Sequence, residues 1–234
     1  MTVPSASADN SLETIRAALR PHGLFLRGTV NFGEGEAAPE LDSGRPAASI
    51  VLIGNIGGSI WEPFTRWRER EPDQGGADPL DNWSKQVIGP VADAVGATAY
   101  FPSDPPWQPF QQWAMTAEGL KPSPLGILIH PRYGLWHGYR GALGFDRALP
   151  AIGEMASFHP CETCAEKPCV SACPADALAS GAFDIDRCRT HLRSEAGADG
   201  CLARGCLSRD ACPVGRDYHY PPAQLSFHMA ALRL

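Results

Sequence analysis

For its first 160 residues this chain has no cysteine, and all eight then fall between positions 161 and 212. Other things are missing too. No stretch approaches the roughly 20 apolar residues that cross a bilayer, so a membrane partner is not expected. The formal net charge is −6, whereas a nucleic-acid partner would call for a basic patch. Met1-Thr-Val-Pro-Ser-Ala-Ser-Ala8 has neither the basic start nor the apolar core of a secretory signal. Concentrated thiols without an export signal are expected in a reducing compartment, most simply the cytoplasm. There is no G-x-G-x-x-G and no Walker lysine. There is also no low-complexity tract, and no repeat beyond the two halves of the cysteine segment.

What is present divides the 234 residues into a medium domain and a small one. The 44% hydrophobic and 20% charged content places the chain among ordinary globular proteins. The cysteine segment opens as Cys161-Glu-Thr-Cys164-Ala-Glu-Lys-Pro-Cys169-Val-Ser-Ala-Cys173-Pro174 and continues through Cys188, Cys201 and Cys206 to Cys212-Pro213. As spacings these are C-x2-C-x4-C-x3-C-P and C-x12-C-x4-C-x5-C-P. A [4Fe–4S] cube needs one thiolate at each of four irons, so two sets of four, each closing on Cys-Pro, suit two cubes with none left over. Two alternatives stay open. Disulfides would suit a small secreted domain, for which the signal is missing. Two zinc sites of four cysteines each would also use the thiols, although the zinc knuckle that begins C-x2-C-x4 has His where Cys169 stands.

Along the chain, residues 1–10 are polar and expected to be disordered. A helix is predicted over 11–20, capped by Ser11, with Leu12, Ile15, Ala18 and Leu19 on one face. His22 follows in a break and is expected in solvent. Strands are predicted over 23–31, 48–55, 97–101 and 126–131, and helices over 61–67 and 81–95, the second interrupted near Pro90. The turn Ile56-Gly57-Gly58-Ser59 could cradle a phosphate, but a tight strand-to-helix connection is the expected reading. Helices alternating with strands argue for an α/β (α+β) domain over 11–155, followed by a cysteine-rich domain over 156–234. Residues 133–145 are dense in glycine and aromatics. That composition fits a backbone close against a large flat ligand, or a hairpin packed on a neighbouring sheet.

The cysteine spacing resembles that of bacterial two-cluster ferredoxins. In those proteins the cysteine of each Cys-Pro crosses to the other cluster. The resemblance implies one cube on Cys161, Cys164, Cys169 and Cys212, and another on Cys173, Cys188, Cys201 and Cys206. The order of parts resembles epoxyqueuosine reductase and, more distantly, the reductive dehalogenases. This rests on Gln112-Trp-Ala-Met-Thr-Ala-Glu-Gly-Leu120, Gly126-Ile-Leu-Ile129, Tyr133-Gly-Leu-Trp-His-Gly-Tyr-Arg-Gly-Ala-Leu143 and Phe183-Asp-Ile-Asp-Arg-Cys188. Both families bind cobalamin, and their corrin-binding part is shared with the cytosolic cobalamin-processing decyanase, of nitroreductase-like fold. The reductase's Gly-Lys pair has no counterpart between Leu120 and Leu128, and the acidic charge makes tRNA a poor substrate.

The resemblance implies a nitroreductase-like N-terminal domain that binds cobalamin through Gly134, Trp136, His137, Tyr139 and Gly141, and a ferredoxin-like domain with two [4Fe–4S] clusters. A redox partner protein would supply the electrons, for corrinoid processing or reduction of another small molecule. His137 is expected to be a hydrogen-bonded loop residue, with lower axial cobalt ligation as the alternative. The other functional reading is a non-enzymatic, ferredoxin-type electron carrier whose N-terminal domain is a docking platform. For such a carrier the net acidic charge suggests basic partners.

Overall fold

The computed structural model describes residues 6–232, with side chains from Asn10 onward. The chain forms two compact units. One comprises residues up to 119 together with 138–155; the other comprises 120–137 together with residues from 156 on. Segment 120–137, expected in the first domain, therefore belongs to the cysteine-rich unit, where β4 (Lys121–Pro122) pairs antiparallel with β5 (Leu128–Ile129), the short core of the strand predicted over 126–131.

The first unit is built on a four-stranded sheet in the order β1 (Phe25–Asn31), β2 (Ser49–Ile56), β6 (His137–Phe145), β3 (Thr98–Tyr100). Strand β1 runs antiparallel to β2, and β3 antiparallel to β6. The continuous apolar run of β2 places it centrally, and Ile50 to Ile53 have no exposed surface. Helix α1 (Ala6–Leu19) buries Leu12, Ile15 and Leu19 of the expected stripe, while Ala18 is exposed, and packs on α3 (Pro79–Val95). Its start is a correction: the helix begins at Ala6, ahead of the predicted cap Ser11, in a stretch where Ala6 and Ala8 favour helix. Residues 1–5 of the expected disordered segment lie outside the described residues.

Helix α3 is also uninterrupted. Pro90 lies on its exposed side, where water can take the carbonyl that proline leaves unpaired, while Trp83, Ile88 and Ala92 anchor the buried face. His22 is not in open solvent. Its ring meets the edge of Trp83 at 6.4 Å, and burial lowers its pKa. The 56–59 segment is the tight connection expected before α2 (Trp61–Arg68): Ser59 Oγ accepts from Ile56 N–H and donates to the Gly23 carbonyl at 2.6 Å. Residues 133–145 do not form a hairpin. A short turn, closed by paired hydrogen bonds between His130 and Gly134, leads into the single strand β6.

Helix α4 (Phe110–Glu118) lies against β1, close enough that a Cβ at Gly28 would stand 2.7 Å from Ala117 Cβ. Close packing there encloses a polar network. The Arg27 guanidinium on β1 donates to Glu118 Oε2 at 2.8 Å and to the Asn55 carbonyl at 3.2 Å. Both members of the ion pair are interior, with side chains 2% and 5% exposed. Tyr139 on β6 donates its hydroxyl to the other Glu118 oxygen at 2.6 Å. A desolvated pair holds only while both charges are present. Glu118→Ala should therefore cost about 3–5 kcal/mol, read as a lower urea midpoint, and Arg27→Met/Glu118→Leu should recover much of that loss.

Candidate functional site

The cysteines of the second unit sit in or beside short helical turns. Proline opens α5 (Pro160–Thr163) and α6 (Pro168–Ser171), where its missing N–H costs nothing. Helix α5 carries Cys161 and ends at Cys164; α6 carries Cys169, with Cys173 two residues past its end. Helix α7 (Ile185–Leu192) carries Cys188 and is capped by Asp184, which accepts from Arg187 N–H at 2.9 Å. The one-turn helix α8 (Glu195–Gly197) runs into a π-helical turn holding Cys201. Cys206 caps α9 (Leu207–Asp210), Cys212 follows it, and α10 (Pro222–Ala230) ends the unit. All eight cysteines are free thiols.

The thiols fall into two electrostatic groups. Burial pushes the Cys161 thiol up to about 11, reinforced by Cys212, Cys169 and Cys164. Burial also raises Cys188, with Cys206, Cys173 and Cys201 adding to the effect. Cys161 and Cys188 thus each resist ionising beside three other thiols, Cys164, Cys169 and Cys212 around the first and Cys173, Cys201 and Cys206 around the second. Against that resistance, backbone N–H groups of Cys169 and Val170 point at the Cys169 sulfur, those of Arg209 and Ser208 at Cys206, and that of Val214 at Cys212. Such N–H···S bonds favour thiolate over thiol.

The first quartet lines a hollow of about 380 Å3, part of it open to solvent. Its remaining wall is mostly apolar, including Leu125, Ile129, Leu135 and Val214, with Lys167 at the rim. Four soft thiolates without oxygen or imidazole donors are what an iron–sulfur cube takes in kind and number. Among the described residues, no three His, Cys, Asp or Glu side chains converge closely enough to hold a single metal ion. Cysteine spacing could not reveal the apolar wall from 120–137, because it comes from a segment far away in sequence.

The five residues expected to contact a corrinoid are divided between the units. Gly134 adopts φ +59°, and a Cβ there would lie 2.0 Å from the Val214 carbonyl oxygen. The close approach it permits is to the backbone just after Cys212-Pro213. Trp136 is 1% exposed, between the Arg209 guanidinium at 4.4 Å and the His219 ring at 4.2 Å. His137 is buried with Nε2 donating to the Leu128 carbonyl at 3.0 Å, so it is hydrogen-bonded as expected, at the start of a strand. Tyr139 and Gly141 lie in the first unit. The Tyr139 pKa is raised by burial and then by Glu118, and a Cβ on Gly141 would meet Ile88 at 2.9 Å.

The first unit has its own solvent-open hollow of about 950 Å3, lined by Glu40, Asp42, Thr98, Tyr100, Asp104 and Gln108 among others. Tyr100 donates to the Glu40 carbonyl at 2.9 Å, and Asp104 pairs with Lys85 at 2.5 Å. Burial, then the charges of Asp42 and Glu40, push Tyr100 up to about 12. Sequence reading did not single out this hollow, whose acidic groups are scattered along the chain. Among the described residues no helix is long and apolar enough to cross a membrane.

No family model matches the sequence, and no curated protein does. Among solved structures, the chain is similar in fold to the B12-trafficking protein CblC of C. elegans, a homologue of human MMACHC. The TM-score is 0.55 at 14% identity, covering 96% of this chain and 92% of that one. The mixed α/β architecture with its antiparallel sheet is thus a CblC-like fold.

Two outcomes are expected. The neutral Tyr100 phenol is favoured in the folded state, so its contribution to stability is complete below pH 10 and is lost as the pH rises toward about 12. In a 295 nm alkaline titration, Tyr100→Phe should remove one late-ionising tyrosine of the five. Gly134→Ala should drive its Cβ into Val214 and make the Cys212 thiol markedly more reactive in an alkylation time course.

Proposed function

We propose that the protein is an iron–sulfur oxidoreductase whose two [4Fe–4S] clusters pass electrons to a cobalamin bound by the N-terminal unit. The reaction is processing of the corrinoid itself or reduction of another small molecule. One cluster rests on Cys161, Cys164, Cys169 and Cys212, the other on Cys173, Cys188, Cys201 and Cys206, and a redox partner protein supplies electrons. The observation that carries this reading is the sorting of eight free thiols into two quartets, one of them around an apolar hollow. The corrinoid half draws on the fold shared with a protein that traffics B12.

When bound, the clusters supply single electrons and the corrinoid a metal able to accept them. The chain does the rest. Leu125, Ile129, Leu135 and Val214 keep water from the first quartet, and the N–H groups on Cys169, Cys206 and Cys212 disperse thiolate charge, which tunes a cluster's potential. In this reading Gly134, Trp136 and His137 shape the thiol-bearing unit, while Tyr139 and Gly141 brace strand β6 of the corrinoid-binding one.

Anaerobic purification with iron, zinc and sulfide analysis, then titration with cob(II)alamin, tests both halves. The expected result is about eight iron and eight sulfide per chain, with a base-off spectral shift on adding the corrinoid. The same iron without a shift would make the protein an electron carrier with the N-terminal unit as docking platform. Zinc in place of iron would overturn the redox reading. Cys206→Ala should lose one cluster and keep the other, visible as iron falling to about half.

A further inference from the structure

Lysine is an unexpected residue for the backbone at position 167. Lys167 adopts φ +41° and ψ +58° just ahead of α6, in the left-handed region that crowds the Cβ of most residues. Pro168 follows and restricts it further, toward extended conformations. Glycine would occupy this turn without strain. Strained residues of this kind gather at functional sites.

Lys167 lines two openings on the first quartet. The inner hollow of about 380 Å3 is bounded by all four thiols, and among the described residues lining it Lys167 alone carries a permanent charge. A wider and more open hollow of about 1020 Å3 shares Cys161, Cys164 and Lys167 with it. The ammonium acts on the Cys161 sulfur and favours its thiolate, against the burial that resists it. The acidic neighbours are engaged or outside the hollows. Glu162 edges the wider one and is paired with Lys121 at 2.9 Å. Glu166 is exposed and lines neither, and among the described residues no aspartate lines either. Arg216 favours the Cys212 thiolate in the same sense but also lies outside both.

A cube on four thiolates is an anion, and reduction adds one more negative charge in the same place. A fixed cation at its edge therefore favours the reduced form over the oxidised one. We propose that Lys167 holds its ammonium beside the first quartet to raise the reduction potential of the cluster there. The inference rests on the iron–sulfur reading above and adds the side chain that tunes one cluster apart from the other. In the step, the cluster gains one electron and the redox partner protein loses one, with no bond made or broken. Lys167 acts through its charge and touches no substrate.

The test is an anaerobic redox titration of the full-length, cluster-loaded protein, read by electron paramagnetic resonance, for the unaltered chain and three variants. Glycine suits φ +41°, so Lys167→Gly removes the charge without disturbing the turn. It should keep about eight iron per chain while one of the two midpoint potentials falls. At the original midpoint the reduced-to-oxidised ratio of that cluster should drop about threefold, equivalent to about 28 mV for one electron. Lys167→Glu should lower the ratio about tenfold, or about 59 mV, and Lys167→Arg should leave it unchanged. Added salt should shrink these differences, because the charge stands at a solvent-open rim. The potential that moves should be the one that survives in Cys206→Ala. Unchanged potentials in Lys167→Gly and Lys167→Glu, an equal shift in both clusters, or movement of the other cluster alone would overturn the proposal. A fall in Lys167→Arg as large as in Lys167→Gly would also overturn it, by making packing rather than charge the cause. A chain without iron and sulfide would instead overturn the reading on which it rests.

Discussion

Thiols brought side by side in a partly dry hollow oppose one another's ionisation, and the second unit is built around that conflict. Burial and mutual proximity raise Cys161 and Cys188, while backbone N–H groups aimed at the Cys169, Cys206 and Cys212 sulfurs work in the opposite direction. The short helices follow from the same need. Spacings of two to five residues between many of the thiols leave room for one helical turn at a time, and proline at the first position of α5 and α6 presets such turns.

The remaining wall of the first hollow comes from elsewhere in the chain. Leu125, Ile129 and Leu135 lie some thirty residues ahead of the cysteines, in a segment that leaves the first unit after Gly119 and returns at Gly138. Its turn is held against residues 214–215 by Gly134, where any side chain would strike the Val214 carbonyl. Strand β6 then continues directly from this segment into the central sheet. A different problem is solved inside the first unit, where Arg27 and Glu118 are withdrawn from water. Their charges are balanced by each other, the Asn55 carbonyl and the Tyr139 hydroxyl.

Much of this was open to sequence reading. The run at 48–55 is apolar at nearly every position, so it had to be a strand covered on both faces, and β2 is one. The stripe Leu12, Ile15 and Leu19 has a single helical period and is buried as such. Pro90 misled because proline alone is a local signal, whereas Trp83, Ile88 and Ala92 hold the helix through packing. The glycines and aromatics of 133–145 suggested a hairpin or a ligand floor. Gly134 instead admits a neighbouring backbone, and Trp136 fills an interior stacked with Arg209 and His219.

By itself the sequence determined which atoms are available: eight thiols in two sets, their Cys-Pro ends, and the amphipathic patterns of the first unit. Those are properties of neighbours along the chain, where spacing and periodicity act directly. Tertiary structure alone decided what stands across space from each of them. It placed the apolar wall beside the first quartet, bonded the half-buried Tyr139 to Glu118, and left Arg189 and Arg193 exposed while Arg209 turned inward. Burial and electrostatic environment arise from contacts between segments far apart in sequence, and no local pattern records them.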